Sequence, residues 1–271
     1  MSLVETNWLE KNLDNVKIID CSWHMPLTKR NGFEEYKNQH IPNAIFFDLD
    51  ENSQKDTDLP HMLVDKSDWE KIVSEMGIKN EDIVVVYDNS DVVSSCRCWF
   101  NFIYFGHDPN LVHVLNGGFQ KWLSENKRVT DQVSGTDNSN YKSLEKKELV
   151  KDKIMIDKNL DVQDFKIIDA RSKDRFHGKI PEPREGLRSG SIRNSFCIPF
   201  NTCLNEDTTF KKKSELEKIF KECLKDLNEK NIVFSCGSGV TACVLALAYS
   251  LINDKYLPCI YDGSWAEYGM I

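Results

Sequence analysis

Hydrophobic and polar positions along this chain fall into two alternating periods. Short apolar runs ending in a polar or acidic residue, Val16-Lys17-Ile18-Ile19-Asp20, Ile83 to Tyr87, Ile167-Ile168-Asp169 and Ile232 to Ser235, read as buried strands. Helical spacing appears between them, as in Leu216, Ile219, Phe220, Cys223, Leu224 and Leu227. Ser67-Asp68-Trp69-Glu70 and Ser214-Glu215-Leu216-Glu217 predict capping boxes, and Gly77 is the expected stop of the first helix. Val240 to Ile252 is apolar almost all round, which predicts a helix buried on every face.

The same unit occurs twice. Ile18-Ile19-Asp20 returns as Ile167-Ile168-Asp169, and His40-Ile41-Pro42-Asn43-Ala44 as Ser191-Ile192-Arg193-Asn194-Ser195. Leu115-Asn116-Gly117-Gly118-Phe119 returns as Tyr261-Asp262-Gly263-Ser264-Trp265. The offset stays near about 150 residues, too long for a solenoid repeat and right for a duplicated domain. Strands alternating with helices predict an α/β fold, each copy a mainly parallel sheet with helices on both faces. The expected division is residues 1–128, a polar linker over 129–153 rich in Ser, Asp, Asn and Lys, and a second domain over 154–271.

Cys236-Gly237-Ser238-Gly239-Val240-Thr241 joins a predicted strand to the buried helix. A cysteine there lies under free backbone N–H groups and the positive end of a helix dipole, which favour thiolate over thiol. Gly237 and Gly239 let the loop curl with its N–H groups inward as a nest for an anion or a sulfur atom. Cys236 is therefore the expected nucleophile. Aligned at this strand, the first copy carries Asp88, and so lacks one.

Composition narrows the class. The chain has 271 residues, 40% apolar and 29% charged, so it reads as globular. A net charge of −8 argues against general nucleic-acid binding, and no apolar run approaches the roughly 20 residues of a membrane span. The acidic, arginine-free start resembles neither a secretory signal nor a mitochondrial presequence, and nine irregularly spaced cysteines suggest no disulfide framework. A cytoplasmic location is expected. Cys96-Arg97-Cys98 is too short a pair for a zinc site, and no metal or cofactor is expected.

His40-Ile41-Pro42-Asn43-Ala44, Leu115-Asn116-Gly117-Gly118, Asp169-Ala170-Arg171, Pro181-Glu182-Pro183-Arg184 and Tyr261-Asp262-Gly263-Ser264-Trp265, with a nucleophile only in the second copy, resemble the two-domain rhodaneses over essentially the whole chain. These are the thiosulfate and 3-mercaptopyruvate sulfurtransferases. The resemblance implies two tandem rhodanese-like domains and transfer of sulfur through a persulfide on Cys236 to a thiol acceptor or cyanide. The resemblance also makes a thioredoxin-like dithiol one candidate for that acceptor. The loop Cys-Gly-Ser-Gly-Val-Thr is similar to the mercaptopyruvate branch; thiosulfate enzymes typically carry Arg and Lys where Gly237 and Ser238 stand.

The resemblance further implies that Arg175 and Arg184 clamp the donor's carboxylate and carbonyl, a bidentate task suited to guanidinium, with Arg188 as a substitute. Arg171 is expected in a structural ion pair. Residues Gly237, Gly239, Val240 and Thr241 would line the persulfide nest, and Ser238, His61 and Asp50 match a proposed Ser-His-Asp relay. Three rival readings stand beside this one. A cysteine phosphatase needs an arginine six places after the nucleophile, where Ala242 stands, and is rejected. Thiosulfate as principal donor and a non-catalytic partner-binding module remain as alternatives. Ser191-Ile192-Arg193-Asn194-Ser195 departs from the family's His-Ile-Pro-Gly-Ala and predicts a less rigid turn. The end at Ile271, soon after Tyr268, predicts a loosely tied last strand-to-helix turn.

Overall fold

A computed structural model describes residues 2–271. The chain forms two compact units, one comprising residues up to Gln54, Leu63–Lys146 and Glu206–Thr209, the other Lys55–Met62, Lys147–Asn205 and Phe210–Ile271.

The first unit contains, in order, β1 (Leu3–Val4), α1 (Thr6–Asn12), β2 (Lys17–Asp20), α2 (Gly32–Asn38), β3 (Ala44–Phe46), α3 (Lys66–Glu75), β4 (Val84–Tyr87), α4 (Ser95–Tyr104), β5 (Val112–Leu115) and α5 (Gly118–Ser124). The second repeats the series as β6 (Val150–Lys151), α6 (Lys153–Val162), β7 (Lys166–Asp169), α7 (Lys173–Phe176), β8 (Phe196–Cys197), α8 (Lys213–Lys221), β9 (Ile232–Ser235), α9 (Thr241–Ser250), β10 (Ile260–Tyr261) and α10 (Ser264–Tyr268). Both sheets are parallel, in the orders β1-β5-β4-β2-β3 and β6-β10-β9-β7-β8.

The sheet order explains where chemistry can sit. From β7 the chain moves outward to β8, then returns to the other side of β7 for β9 and β10. The direction of winding reverses between β7 and β9, and loops leaving the carboxyl ends of those strands open a crevice. The strands are apolar because both faces are covered: all four residues of β4 and of β9 are buried. Ala242 to Tyr249 of α9 are buried without a break, as the all-round apolar pattern requires.

Local details differ from the sequence reading. Helix α3 is capped two residues before Ser67, because Asp65 accepts the Asp68 N–H at 2.9 Å and the Ser67 hydroxyl at 2.7 Å. Helix α8 is capped at Lys212, which offers no acceptor; only the returning half of a box forms, Glu215 accepting the Lys212 N–H at 3.3 Å. The turn at Ser191 to Ser195 is closed despite its departures. Asn194 adopts φ +65 as Asn43 adopts φ +67 in the first copy, a conformation asparagine tolerates, and Ser195 N–H reaches Ile192 O at 3.2 Å.

The stretch expected as linker, largely exposed over its first part, is tied down at several points. Ser139 N–H donates to Ser74 O at 2.8 Å, Thr136 Oγ1 to Glu75 O at 2.8 Å, and Tyr141 is fully buried, all within the first unit. The last helix is also firmly held. Trp265 is buried and its indole N–H donates to Arg188 O at 2.9 Å, while Met270 pairs with Leu187.

Candidate active site

Cys236 is the first residue beyond β9 and only 1% exposed. Its backbone is fixed on one side by α10: the Trp265 N–H donates to the Cys236 carbonyl at 3.0 Å and the Ala266 N–H to the Gly237 carbonyl at 2.8 Å. The Ser264 hydroxyl accepts the Cys236 N–H at 3.1 Å and donates to Tyr261 O at 2.7 Å. The N–H groups of Gly237, Ser238 and Val240 donate to no backbone carbonyl among the described residues. Gly239 turns the loop into α9 with φ +75, a left-handed value that a side chain would strain. The loop thus presents N–H groups and a helix N-terminus around the thiol, as an anion nest does.

Two cations converge on the loop. A Cβ built on Gly237 would stand 3.3 Å from Arg175 Nη2 and 3.9 Å from Arg184 Nη1, so both guanidinium groups lie against that backbone. Arg184 Nη2 also reaches Ser238 Oγ at 3.5 Å. Arg175 comes from α7, whose N-cap Ser172 accepts the Arg175 N–H. Its guanidinium is oriented by Glu182, 2.5 Å from Nη2. The Glu182 side chain is buried and shared with Arg171, at 2.8 Å.

Arg171 leaves the end of β7 beside this loop. It grips Asp169 at 2.7 and 3.1 Å, donates to Gly190 O at 2.8 Å, and lies 4.4 Å over the Trp265 ring. Burial alone would lower its pKa, but the Asp169 and Glu182 carboxylates hold it above the ordinary arginine value. The structural ion pair expected for Arg171 is present. Arg188, the substitute, is exposed and stacked on Trp265 and Tyr268 instead, at 4.6 and 5.5 Å.

Within the expected relay, His61 meets Ser238. His61 belongs to the second unit through the Lys55–Met62 segment, is 4% exposed, and brings Nδ1 to 3.0 Å from Ser238 Oγ. It holds φ +62, uncommon outside glycine and found disproportionately at functional sites. Asp50 lies in the first unit, exposed, and accepts the Trp23 indole N–H at 2.9 Å. Val240 is buried, and Thr241 opens α9 half-buried.

Other candidates resolve simply. Cys203 and Cys243 are fully buried, and the Cys243 thiol donates to Gly239 O at 3.2 Å. His107 is packing: its ring bonds Tyr141 and Asp82 O at 3.2 and 2.9 Å. Burial lowers its pKa. Among the described residues, no cluster of His, Cys, Asp and Glu suits a metal ion, and no helix is long and apolar enough to cross a membrane.

The first unit shows what replaces the site. Asp88 follows β4 as Cys236 follows β9, and its carboxylate accepts the N–H groups of Ser90 at 2.8 Å and Ser95 at 2.9 Å. The donors that would face a sulfur are occupied by the loop's own acid. Sequence reading passed over two side chains that the structure places at the second site, Glu182 and Ser264. Both lie in motifs quoted above, and the replacement of Gly118 by Ser264 between copies was a readable signal.

Comparisons with known proteins agree with this arrangement. The family model for the rhodanese-like domain matches residues 5–125 and again 152–270. The chain is 39% identical to thiosulfate/3-mercaptopyruvate sulfurtransferase 1, mitochondrial, of Arabidopsis thaliana, over 98% of this chain and 75% of that protein. It is 35% identical to the 3-mercaptopyruvate sulfurtransferase of Mus musculus, over 99% and 92%. The crystal structure of SseA from Escherichia coli, described as a 3-mercaptopyruvate sulfotransferase, superposes with a TM-score of 0.87 at 29% identity, covering 98% of this chain and 99% of that one. Two matched domains, one with a cysteine in the nest and one with an aspartate in its place, make this chain a member of the rhodanese family with two tandem domains.

Proposed function

We propose that this sulfurtransferase takes sulfur from 3-mercaptopyruvate onto Cys236 and passes it to a thiol. The observation that carries the reading is the convergence of Arg175 and Arg184 on Gly237, next to the nucleophile. A 2-keto acid offers a planar carboxylate and carbonyl to that pair. The donor's thiol sulfur then faces Cys236. The Cys236 thiolate attacks it, the carbon–sulfur bond breaks, and its electron pair passes into the enolate of pyruvate. Net, the donor thiol's proton ends on the methyl carbon of pyruvate, and Ser238 with His61 at 3.0 Å provides a carrier for it. The N–H groups of residues 237–241 hold the persulfide anion.

An acceptor thiolate next attacks the outer sulfur and releases Cys236, so the reaction follows ping-pong kinetics. Because Cys236 is only 1% exposed, the acceptor must be a small thiol or a projecting one, as in thioredoxin-like dithiols. Gly237 and Ser238 add no cation of their own to the Arg175 and Arg184 pair, which favours the monoanionic keto acid over dianionic thiosulfate. Pyruvate release from 3-mercaptopyruvate, compared with thiocyanate release from thiosulfate and cyanide, tests the assignment. A larger kcat/KM for 3-mercaptopyruvate is expected; a larger one for thiosulfate would overturn it.

A further inference from the structure

Ser264 stands in a backbone conformation that serine ordinarily avoids. Its φ is +48, and it is fully buried in the turn between β10 and α10. The first unit solves the same turn differently. Gly118 occupies the corresponding place at φ +55, and a Cβ there would come within 2.6 Å of the Asp88 carbonyl oxygen. Phe119 N–H donates to Asp88 O at 2.9 Å, just as Trp265 N–H donates to Cys236 O. The two turns are equivalent in register and differ in one side chain. Glycine carries the turn without strain where there is no nucleophile. Serine carries it with strain where there is one.

The hydroxyl explains the substitution. Because Ser264 Oγ–H is spent on Tyr261 O at 2.7 Å, the oxygen can only accept from Cys236, and it receives the N–H at 3.1 Å. With the neighbouring bonds, one turn holds three backbone groups of two successive residues: the Cys236 N–H, the Cys236 carbonyl and the Gly237 carbonyl. In a trans peptide C=O and N–H point in opposite directions. Tying the carbonyls of 236 and 237 towards α10 therefore turns the N–H groups of Gly237 and Ser238 away from it, into the loop. The third bond, at the Cys236 N–H, fixes the remaining rotation, the one that aims the thiol.

We propose that Ser264 is a positioning residue for the sulfur-transfer reaction, holding the Cys236 backbone so that its thiol sits over the loop's N–H groups. The inference rests on Cys236 as the nucleophile and on no particular donor. Its test is a pair of substitutions with opposite effects on stability and chemistry. Ser264→Gly removes the hydroxyl and the left-handed strain together, so the folded protein keeps its Tm within about 3 °C. The rate of persulfide formation nevertheless falls roughly five- to tenfold, the loss of one positioning hydrogen bond, with the KM for the donor little changed. Ser264→Thr keeps the hydroxyl in a worse backbone conformation, so it lowers Tm while its folded fraction retains most of the wild-type rate. Alkylation of Cys236 by iodoacetamide, followed by mass spectrometry, reads the same defect without any sulfur donor. It separates this inference from the choice of substrate: slow alkylation in Ser264→Gly supports it even if 3-mercaptopyruvate proves a poor donor. Wild-type alkylation and transfer rates in Ser264→Gly, or rates that fall only in step with Tm in both variants, would overturn it.

Discussion

Replacing Asp20 by Asn gives a sharp test of the electrostatics behind the duplicated fold. Asp20 ends β2 as Asp169 ends β7, but two residues later it finds Ser22 where the second copy has Arg171. Burial pushes its carboxyl up from 3.8 to about 6, against the Ser22 and Tyr87 hydrogen bonds that favour the anion and with the nearby Asp88 adding to the rise. Ser22 donates its N–H at 3.0 Å and its hydroxyl at 2.6 Å to Oδ1, so the anion is solvated by the protein, though incompletely. Between the two pKa values the folded state binds more protons than the unfolded chain. The stabilisation is fully present below the unfolded value and is lost as pH rises through about 6.

At 1.36 kcal/mol per pH unit the full effect is about 3 kcal/mol. Asparagine imitates the neutral acid at every pH. The stability of Asp20→Asn relative to wild type should therefore rise by about 2.4 kcal/mol between pH 4 and pH 8, since pH 4 already lies just above the unfolded value, whatever the offset of the substitution itself. Urea unfolding of both proteins across that range, followed on the transition of the first unit, measures the difference. A difference independent of pH would mean that the Ser22 and Tyr87 bonds already satisfy the anion, and would refute the reasoning.

Three further outcomes are expected. Arg171→Met leaves Asp169 and Glu182, both buried, without their shared cation, and should destabilise the second unit by about 3–5 kcal/mol in urea unfolding. Gly237→Ala puts a methyl group 3.3 Å from Arg175 Nη2, and since its backbone is not left-handed the protein folds; the KM for 3-mercaptopyruvate should rise about fivefold, roughly 1 kcal/mol, with Cys236 alkylation unchanged. His61→Ala removes the partner of Ser238 Oγ and should slow pyruvate release about a hundredfold in steady-state assays, again without slowing alkylation.

The repeat was legible because its signals are covalent in the sequence: apolar runs closed by an acid, glycine pairs after a strand, and one loop bordered by glycines. Helix ends were less so. Asp65 and Ser67 are equally good caps on paper, and only the chain path decides that Asp65 receives the Asp68 N–H. The Ser- and Asn-rich stretch after Arg128 has the composition of a solvated linker, yet Thr136 and Ser139 spend their hydroxyls on the carbonyls of Glu75 and Ile78, at 2.8 and 2.5 Å. Polar residues that bond a neighbouring backbone look the same in sequence as polar residues that bond water. At the site, Cys236, Ser238, Arg175 and Arg184 were readable one by one. Their convergence, and the part of Glu182 in orienting Arg175, depend on distances between segments that no local pattern encodes. Ser264 was hidden by its ordinariness, since a serine at a helix start suggests a cap and not a left-handed residue holding the nucleophile.

The most direct measurement is a single turnover without acceptor. One equivalent of 3-mercaptopyruvate is mixed with the enzyme, the reaction is quenched, pyruvate is counted, and the cysteine peptides are weighed. One extra sulfur on the Cys236 peptide, matched by an equal amount of pyruvate and absent from Cys236→Ser, is the predicted result. Pyruvate release by Cys236→Ser at the wild-type rate, or the sulfur found on another cysteine, would contradict the account.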